Sequence, residues 1–357
     1  MSGRIPVTVV SGFLGSGKTT LLNRLLAPAD AGPAQAQAAA PIVVIVNELG
    51  AVGLDHAWVR HIGDRIVLLE SGCICCSVRG ELVGALRDLF LAALHRKMPA
   101  FSRVVIETTG IADPAPIIYT LKYERFLSDR YAYDGCISVV DGVHGAQQLR
   151  QEPVAVQQAV LADALVISKT DLAAVDTVAA LERSLRALNP GAPQYLAQDA
   201  PGLPDLLRAG SLRAGVAGLQ SRRGLWDGLR GGSAARGLPA AHGDIEVLTM
   251  ASDAAVRRPA FIKAISALLA DSGVELLRVK GMLWFEGDSH ASAVHAVHRQ
   301  LYPMEPMETH ARAAQSPGAS VLVLIFRAAA GSLMPDKVAQ LLPGAQLSLS
   351  SGRNFAQ

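Results

Sequence analysis

"VTVVSGFLGSGKTTLLNRLL", residues 7–26, decides the fold. Val7 to Val10 form an apolar run that reads as a strand buried on both faces. Gly12 to Thr19 then follow the G-x-x-x-x-G-K-[ST] pattern, and the apolar residues of 19–26 recur at helical spacing. Glycines let backbone N–H groups turn inward around an anion, and a helix starting near Lys18 aims the positive end of its dipole at the same point. The candidate nucleotide-binding residues are therefore Gly12, Gly15, Ser16, Gly17, Lys18, Thr19 and Thr20, with Lys18 reaching the β- and γ-phosphates and Thr19 ligating Mg²⁺. A glycine turn with an incidental Lys would lack the flanking strand and helix.

Working outward, runs rich in Val and Ile recur at 5–10, 42–46, 65–69, 103–106, 136–140 and 164–167. Helix-like segments at 19–26, 80–94 and 177–188 alternate with them. Strand and helix in alternation predict an α/β P-loop NTPase domain with a mainly parallel sheet over residues 1–200. The low-complexity stretch 28–41 reads as a loop after the first helix. Gly, Ala, Arg and Pro dominate from Asn189 onward, and 201–243 reads as a linker. "DIEVLTM", "PAFIKAISALLA", "ELLRVKGMLWFEG" and "SVLVLIFRAAAG" then predict a smaller α+β domain over 244–357.

Composition limits the partners. The chain has 357 residues, 50% of them hydrophobic, enough for two cores. Its 33 Lys and Arg against 31 Asp and Glu leave a formal charge of +2, without the excess needed to neutralise many phosphates or lie on an anionic membrane. Bulk nucleic-acid binding and membrane attachment are not expected. "MSGRIPVTVVSG" shows neither a signal peptide nor a membrane span, and the expected location is the cytoplasm.

A P-loop needs a carboxylate at the end of a neighbouring strand, and "RVVIETTGIADP" supplies Glu107 directly after Val104 to Ile106. Glu107 is the candidate for organising Mg²⁺ or the attacking water, and Gly110 falls near the γ-phosphate. Asp113 is the alternative carboxylate, although an Asp before Pro114 is more simply a turn residue or helix cap. In "ALVISKTDL" an apolar strand runs into Ser168, Lys169 and Asp171. A carboxylate there can accept both N1–H and the exocyclic amine of guanine, a pairing adenine cannot give, while the Lys169 stem lies along the base.

The remaining chemistry lies in "ESGCICCSV", residues 70–78, where Cys73, Cys75 and Cys76 take three of the chain's four cysteines. In a reducing compartment such a cluster reads as metal-binding or redox-active rather than as a disulfide. Three thiolates suit zinc, and an open fourth position suits transfer. The other readings are a sensor thiol at Cys75 or Cys76 and core packing by Cys73. Cys136, in an apolar strand, is simply packing. His290, His295 and His298 read as surface or interface histidines of the second domain.

Taken together, the sequence resembles the G3E family of P-loop GTPases, in its CobW-like metallochaperone branch. "GFLGSGKTTLLNRLL", "VNELGAVGLD", "ESGCICCSVRGEL", "ETTGIADPAPI", "VVDG" and "SKTDL" occur in the family's order, and "VKGMLWFEG" with "AVHAVHRQLYP" looks like its carboxy-terminal domain. The resemblance implies slow GTP hydrolysis with Mg²⁺, coupled to holding and releasing zinc or cobalt for a client metalloprotein. The alternative is a metal- or redox-sensing protein in which nucleotide is structural. The chain departs from relatives at Val46, Ala51 and Ser168, where many have an acid, Glu, and Asn or Thr. The fourth metal ligand is open among Glu48, His56, His61, water and a client side chain.

Overall fold

The structure is a computed structural model that describes residues 3–26, 41–47, 58–61, 66–71, 78–200, 206, 245–271, 274–307, 320–328 and 338–351. Most of the 28–41 loop, the Cys73 to Cys76 segment, Glu48, Ala51 and His56 lie outside these residues, as does 201–243 apart from Leu206.

The first sheet contains β1 (Ile5–Ser11), β2 (Ile42–Asn47), β3 (Trp58–His61), β4 (Ile66–Ser71), β5 (Arg103–Glu107), β6 (Tyr131–Asp141), β7 (Ala164–Ser168) and β8 (Gln194–Leu196). Their order is β3-β4-β2-β5-β1-β6-β7-β8. All neighbours run parallel except the edge strand β3, which is antiparallel to β4. Alternate residues serve opposite faces, which is why the strands read as continuous apolar runs. Val7, Val9, Val104 and Ile106 pack toward α2 (Val78–Leu94) and α3 (Ala115–Tyr123). Val10, Val105, Val139 and Val166 pack toward Leu21 and Leu22 of α1 (Lys18–Leu26), and buried Leu206 joins that cluster. β6 begins five residues before the predicted run, because "YAYDG" is only partly buried and its register against β1 shifts between Val7 and Val9. Between β5 and β6 comes α4 (Arg125–Arg130); α5 (Gly145–Gln151) and α6 (Pro153–Leu161) follow β6, and α7 (Val175–Leu188) follows β7.

The second sheet is antiparallel, in the order β12-β11-β10-β14-β9-β15 with β13 on β11. Its strands are β9 (Ile245–Ser252), β10 (Val274–Leu283), β11 (Ser292–Val297), β12 (Gln300–Leu301), β13 (Glu305–Pro306), β14 (Ser320–Ala328) and β15 (Gln346–Ser351). Phe261, Ile265 and Leu268 of α8 (Arg258–Ala270) cover one face. The other face packs Val247, Leu277, Val323 and Ile325 against Val156, Val160, Leu181 and Leu185 of α6 and α7. Among the described residues no helix is long and apolar enough to cross a membrane.

Candidate functional site

Parallel strands deliver the candidate residues to one edge. β1 pairs with β5 through Val10↔Glu107, and β6 with β7 through Asp141↔Ser168, so Ser11, Glu107, Asp141 and Ser168 end at the carboxyl edge, where open α/β sheets bind ligands. Between β1 and α1 the loop turns through Gly12, Gly15 and Gly17, all at positive φ. Gly12 has φ +143°, and a Cβ there would meet the Val139 carbonyl oxygen at 2.3 Å, so the position requires glycine. Lys18 folds back over the loop, its Nζ donating to the carbonyls of Gly12 at 3.0 Å and Phe13 at 3.2 Å. Burial lowers its pKa and the Glu107 charge opposes that shift, so the ammonium is held by groups that a phosphate can replace.

The Thr19 hydroxyl donates to Glu107 Oε1 at 2.7 Å. The hydroxyl of exposed Thr19 beside the carboxylate of Glu107, which is only 4% exposed, forms a hard-oxygen donor set that fits Mg²⁺. Gly110 stands three residues beyond Glu107, and a Cβ on it would meet the backbone N and Cα of Leu14 at 2.6 Å. The segment after β5 is therefore pressed on the tip of the phosphate loop. Asp113 accepts from the Ala115 N–H at 2.9 Å, the turn role expected for it.

On the base side, Ser168 Oγ donates to the Ser16 carbonyl at 2.6 Å and so ties the end of β7 to the phosphate loop. Lys169 adopts φ +53° and its Nζ bonds Asp141 Oδ2 at 2.7 Å. Asp141 also accepts from the N–H groups of Val143 at 2.8 Å and His144 at 2.9 Å. Burial would raise its pKa, but the Lys169 bond and the two N–H groups outweigh that and lower it. Asp171 is exposed in the turn after β7, and α7 starts only at Val175 with Ala174 as its cap. The carboxylate is thus not a helix cap and faces solvent. The signal for Asp141 in the sequence is an Asp-Gly pair that ends an apolar strand beside β7.

β4, the strand that precedes the cysteines in sequence, ends at the same edge. β4 pairs with β2 through Glu70↔Val46 and Ser71↔Asn47, and Val46 pairs with Glu107 of β5. β4 is two strands from β5, about 10 Å, and Cys73 comes two residues after its end. His61 pairs with Val67, toward the other end of β4. Among the described residues no cluster of three or more His, Cys, Asp or Glu could hold a metal. Cys136 is buried in the core, where burial raises its thiol pKa. Of the histidines, His290 bonds Ser289 and is exposed. His295 is buried with its ring 5.0 Å from that of Tyr302. His298, just past β11 at φ +50°, lies 3.1 Å from Gln157 Nε2 and 3.7 Å from Asp113 of the first sheet's domain.

A glycine loop between a strand and a helix at the carboxyl edge of a parallel sheet defines a P-loop nucleotide-binding protein. The family model described as "CobW/HypB/UreG, nucleotide-binding domain" matches residues 6–195, and "Cobalamin synthesis protein cobW C-terminal domain" matches 245–345. The chain belongs to the CobW/HypB/UreG family of P-loop GTPases. It is 34% identical over 298 residues to the zinc chaperone YjiA of Escherichia coli K12, covering 83% of this chain and 86% of the relative. It is 30% identical over 192 residues to the zinc-regulated GTPase metalloprotein activator 1 of Schizosaccharomyces pombe, covering 52% and 44% of the two chains. The crystal structure of Zn(II)-bound YjiA GTPase from E. coli superposes with a TM-score of 0.63 at 28% identity, covering 95% of this chain and 97% of that one. A Zn(II)-bound triple mutant of that GTPase, with one Glu and two Cys changed to Ala, gives a TM-score of 0.64 over the same shares at the same identity.

Proposed function

We propose that the protein is a GTP-driven zinc chaperone. It takes the metal on Cys73, Cys75 and Cys76 and couples GTP binding and hydrolysis to delivery to a client metalloprotein in the cytoplasm. Cobalt(II) is the other ion that such thiolates would accept. One observation carries this reading. In a chain 34% identical to a zinc chaperone, the strand that leads into the cysteines ends at the same sheet edge as the phosphate loop.

Lys18 exchanges its two carbonyl acceptors for the β- and γ-phosphates. Thr19 and Glu107 would hold Mg²⁺, which when bound neutralises charge on the phosphate oxygens. Gly12, Gly15, Ser16, Gly17 and Thr20 complete the cradle, while Gly110 closes over its tip. Asp171 reads guanine, and Lys169 exchanges Asp141 for the face of the base. The domains divide as 1–200 for nucleotide, 201–243 as linker and 244–357 for the appended sheet.

The test is nucleotide turnover by wild type and Asp171→Ala, with and without zinc. Wild type should prefer GTP and turn over alone at roughly 10⁻⁴ to 10⁻² s⁻¹, the range of GTPases without a stimulating partner. Asp171→Ala should weaken GTP by about 1.5 to 3 kcal/mol, the worth of hydrogen bonds to a charged group, and leave ATP unchanged. Equal wild-type affinity for ATP and GTP, or a rate indifferent to zinc, would count against the reading.

A further inference from the structure

Gln158 occupies the middle of α6 and is 1% exposed. Its Nε2 donates to the carbonyls of Gly110 at 3.2 Å and Ala112 at 3.0 Å. Two carbonyl acceptors fix which end of the amide faces them, because only the NH₂ end can donate. Gly110 is pressed against Leu14 of the phosphate loop on one side and held by Gln158 on another. Gln158 also lines a small cavity with Phe13 of the phosphate loop and Ser138 of β6. It therefore holds the segment that is pressed on the phosphate loop, from a buried position beside that loop. The neighbouring Gln157 turns to His298 instead, and His298 is also the residue that approaches Asp113, at the end of the same segment.

We propose that Gln158 is a positioning residue for GTP hydrolysis, fixing the Gly110–Ala112 peptides against the phosphate loop so that the segment meets the γ-phosphate already in place. The proposal rests on the GTPase reading. GDP lacks the group that this segment meets, so Gln158 should matter for GTP and not for GDP. Replacing a side chain that holds two peptides in register shifts them by a fraction of an ångström or more, and misplacement on the scale of 1 Å can cost about 100-fold in rate.

The experiment uses the full chain with Gln158→Met, which keeps the length and apolar packing but loses both donors, and Gln158→Glu, which sets acceptors against two carbonyls. Melting temperature and GDP affinity report folding, and steady-state kinetics separate kcat from KM. In Gln158→Met, GDP affinity is expected within about twofold of wild type while kcat falls roughly 10- to 100-fold and a non-hydrolysable GTP analogue loses affinity relative to GDP. Gln158→Glu is expected to be the slower of the two. Wild-type kcat and an unchanged analogue-to-GDP affinity ratio in Gln158→Met would overturn the proposal and leave the GTPase reading standing. Equal loss of GDP and GTP binding in Gln158→Met would also overturn it, since that marks a structural role alone. A wild-type protein that hydrolyses no GTP would overturn both.

Discussion

Asp163→Ala is expected to lower the unfolding free energy by about 3 to 5 kcal/mol, measured by denaturant titration against wild type. Asp163 is 0% exposed between α6 and β7. Its Oδ1 accepts from Arg278 and from Lys280 Nζ at 3.0 Å, and its Oδ2 accepts from Tyr133 Oη at 2.8 Å and the Cys136 N–H at 3.0 Å. Arg278 also donates to the Val160 carbonyl at 2.8 Å and the Ala162 carbonyl at 2.7 Å, capping the negative end of α6 from the second sheet. Removing the carboxylate leaves two buried cations without their counter-ion, the situation that makes half of a buried pair costly. Burial would raise the Asp163 pKa, but Lys280 and then Arg278 outweigh it and hold the carboxyl well below the ordinary range. A pKa depressed on folding contributes stability that is complete above the unfolded value of about 3.9 and lost as pH falls through the folded value. The contribution should therefore hold flat from neutrality to about pH 4 and disappear only in strong acid. A loss below about 1 kcal/mol at neutral pH would mean that the joint does not depend on this charge.

The second large effect concerns Gly110→Ala. The added carbon would lie 2.6 Å from the backbone N and Cα of Leu14, and backbone cannot swing aside as a side-chain tip can. Either the segment after Glu107 or the phosphate-loop tip must move. A displacement near 1 Å at the reacting end costs about 100-fold in turnover. GDP affinity should fall less than the rate, because none of the residues Gly12 to Thr19 is itself replaced. Single-turnover hydrolysis beside GDP titration measures both quantities, and a rate within threefold of wild type would refute the expectation.

What the sequence made legible was local. The Gly12 to Thr19 loop, its strand and its helix are contiguous, so one window holds strand period, phosphate pattern and helix start. Glu107 was a candidate because a carboxylate directly after an apolar run stands at the carboxyl end of a strand, and the Thr19–Glu107 hydrogen bond places the two side chains together. The joint between the sheets was not legible, since Asp163 and Arg278 are 115 residues apart. One signal was available. Arg278 and Lys280 stand two apart in an apolar strand, so they share a face and call for a buried anion. His295 pairs with Lys280 across β10 and β11, which puts a histidine first read as surface or interface beside buried charges, on the interface side of that reading. Gln158 gave no signal, because a glutamine on a helix carries no pattern that names its acceptors.

On the proposed function, a metal held after β4 lies near the sheet edge that carries the phosphate loop, so metal and nucleotide binding should share free energy. Coupling of this kind is reciprocal and typically amounts to about 1 to 3 kcal/mol, or roughly 5- to 150-fold in affinity. The most direct measurement is titration of zinc into the protein loaded with GDP and with a non-hydrolysable GTP analogue, beside a variant with Cys73, Cys75 and Cys76 all changed to Ser. Zinc affinities should differ between the two nucleotide states by a factor in that range, and the nucleotide-sensitive binding should be lost in the variant. Identical zinc affinity in both states, or unchanged nucleotide-sensitive binding without the three thiols, would contradict that expectation.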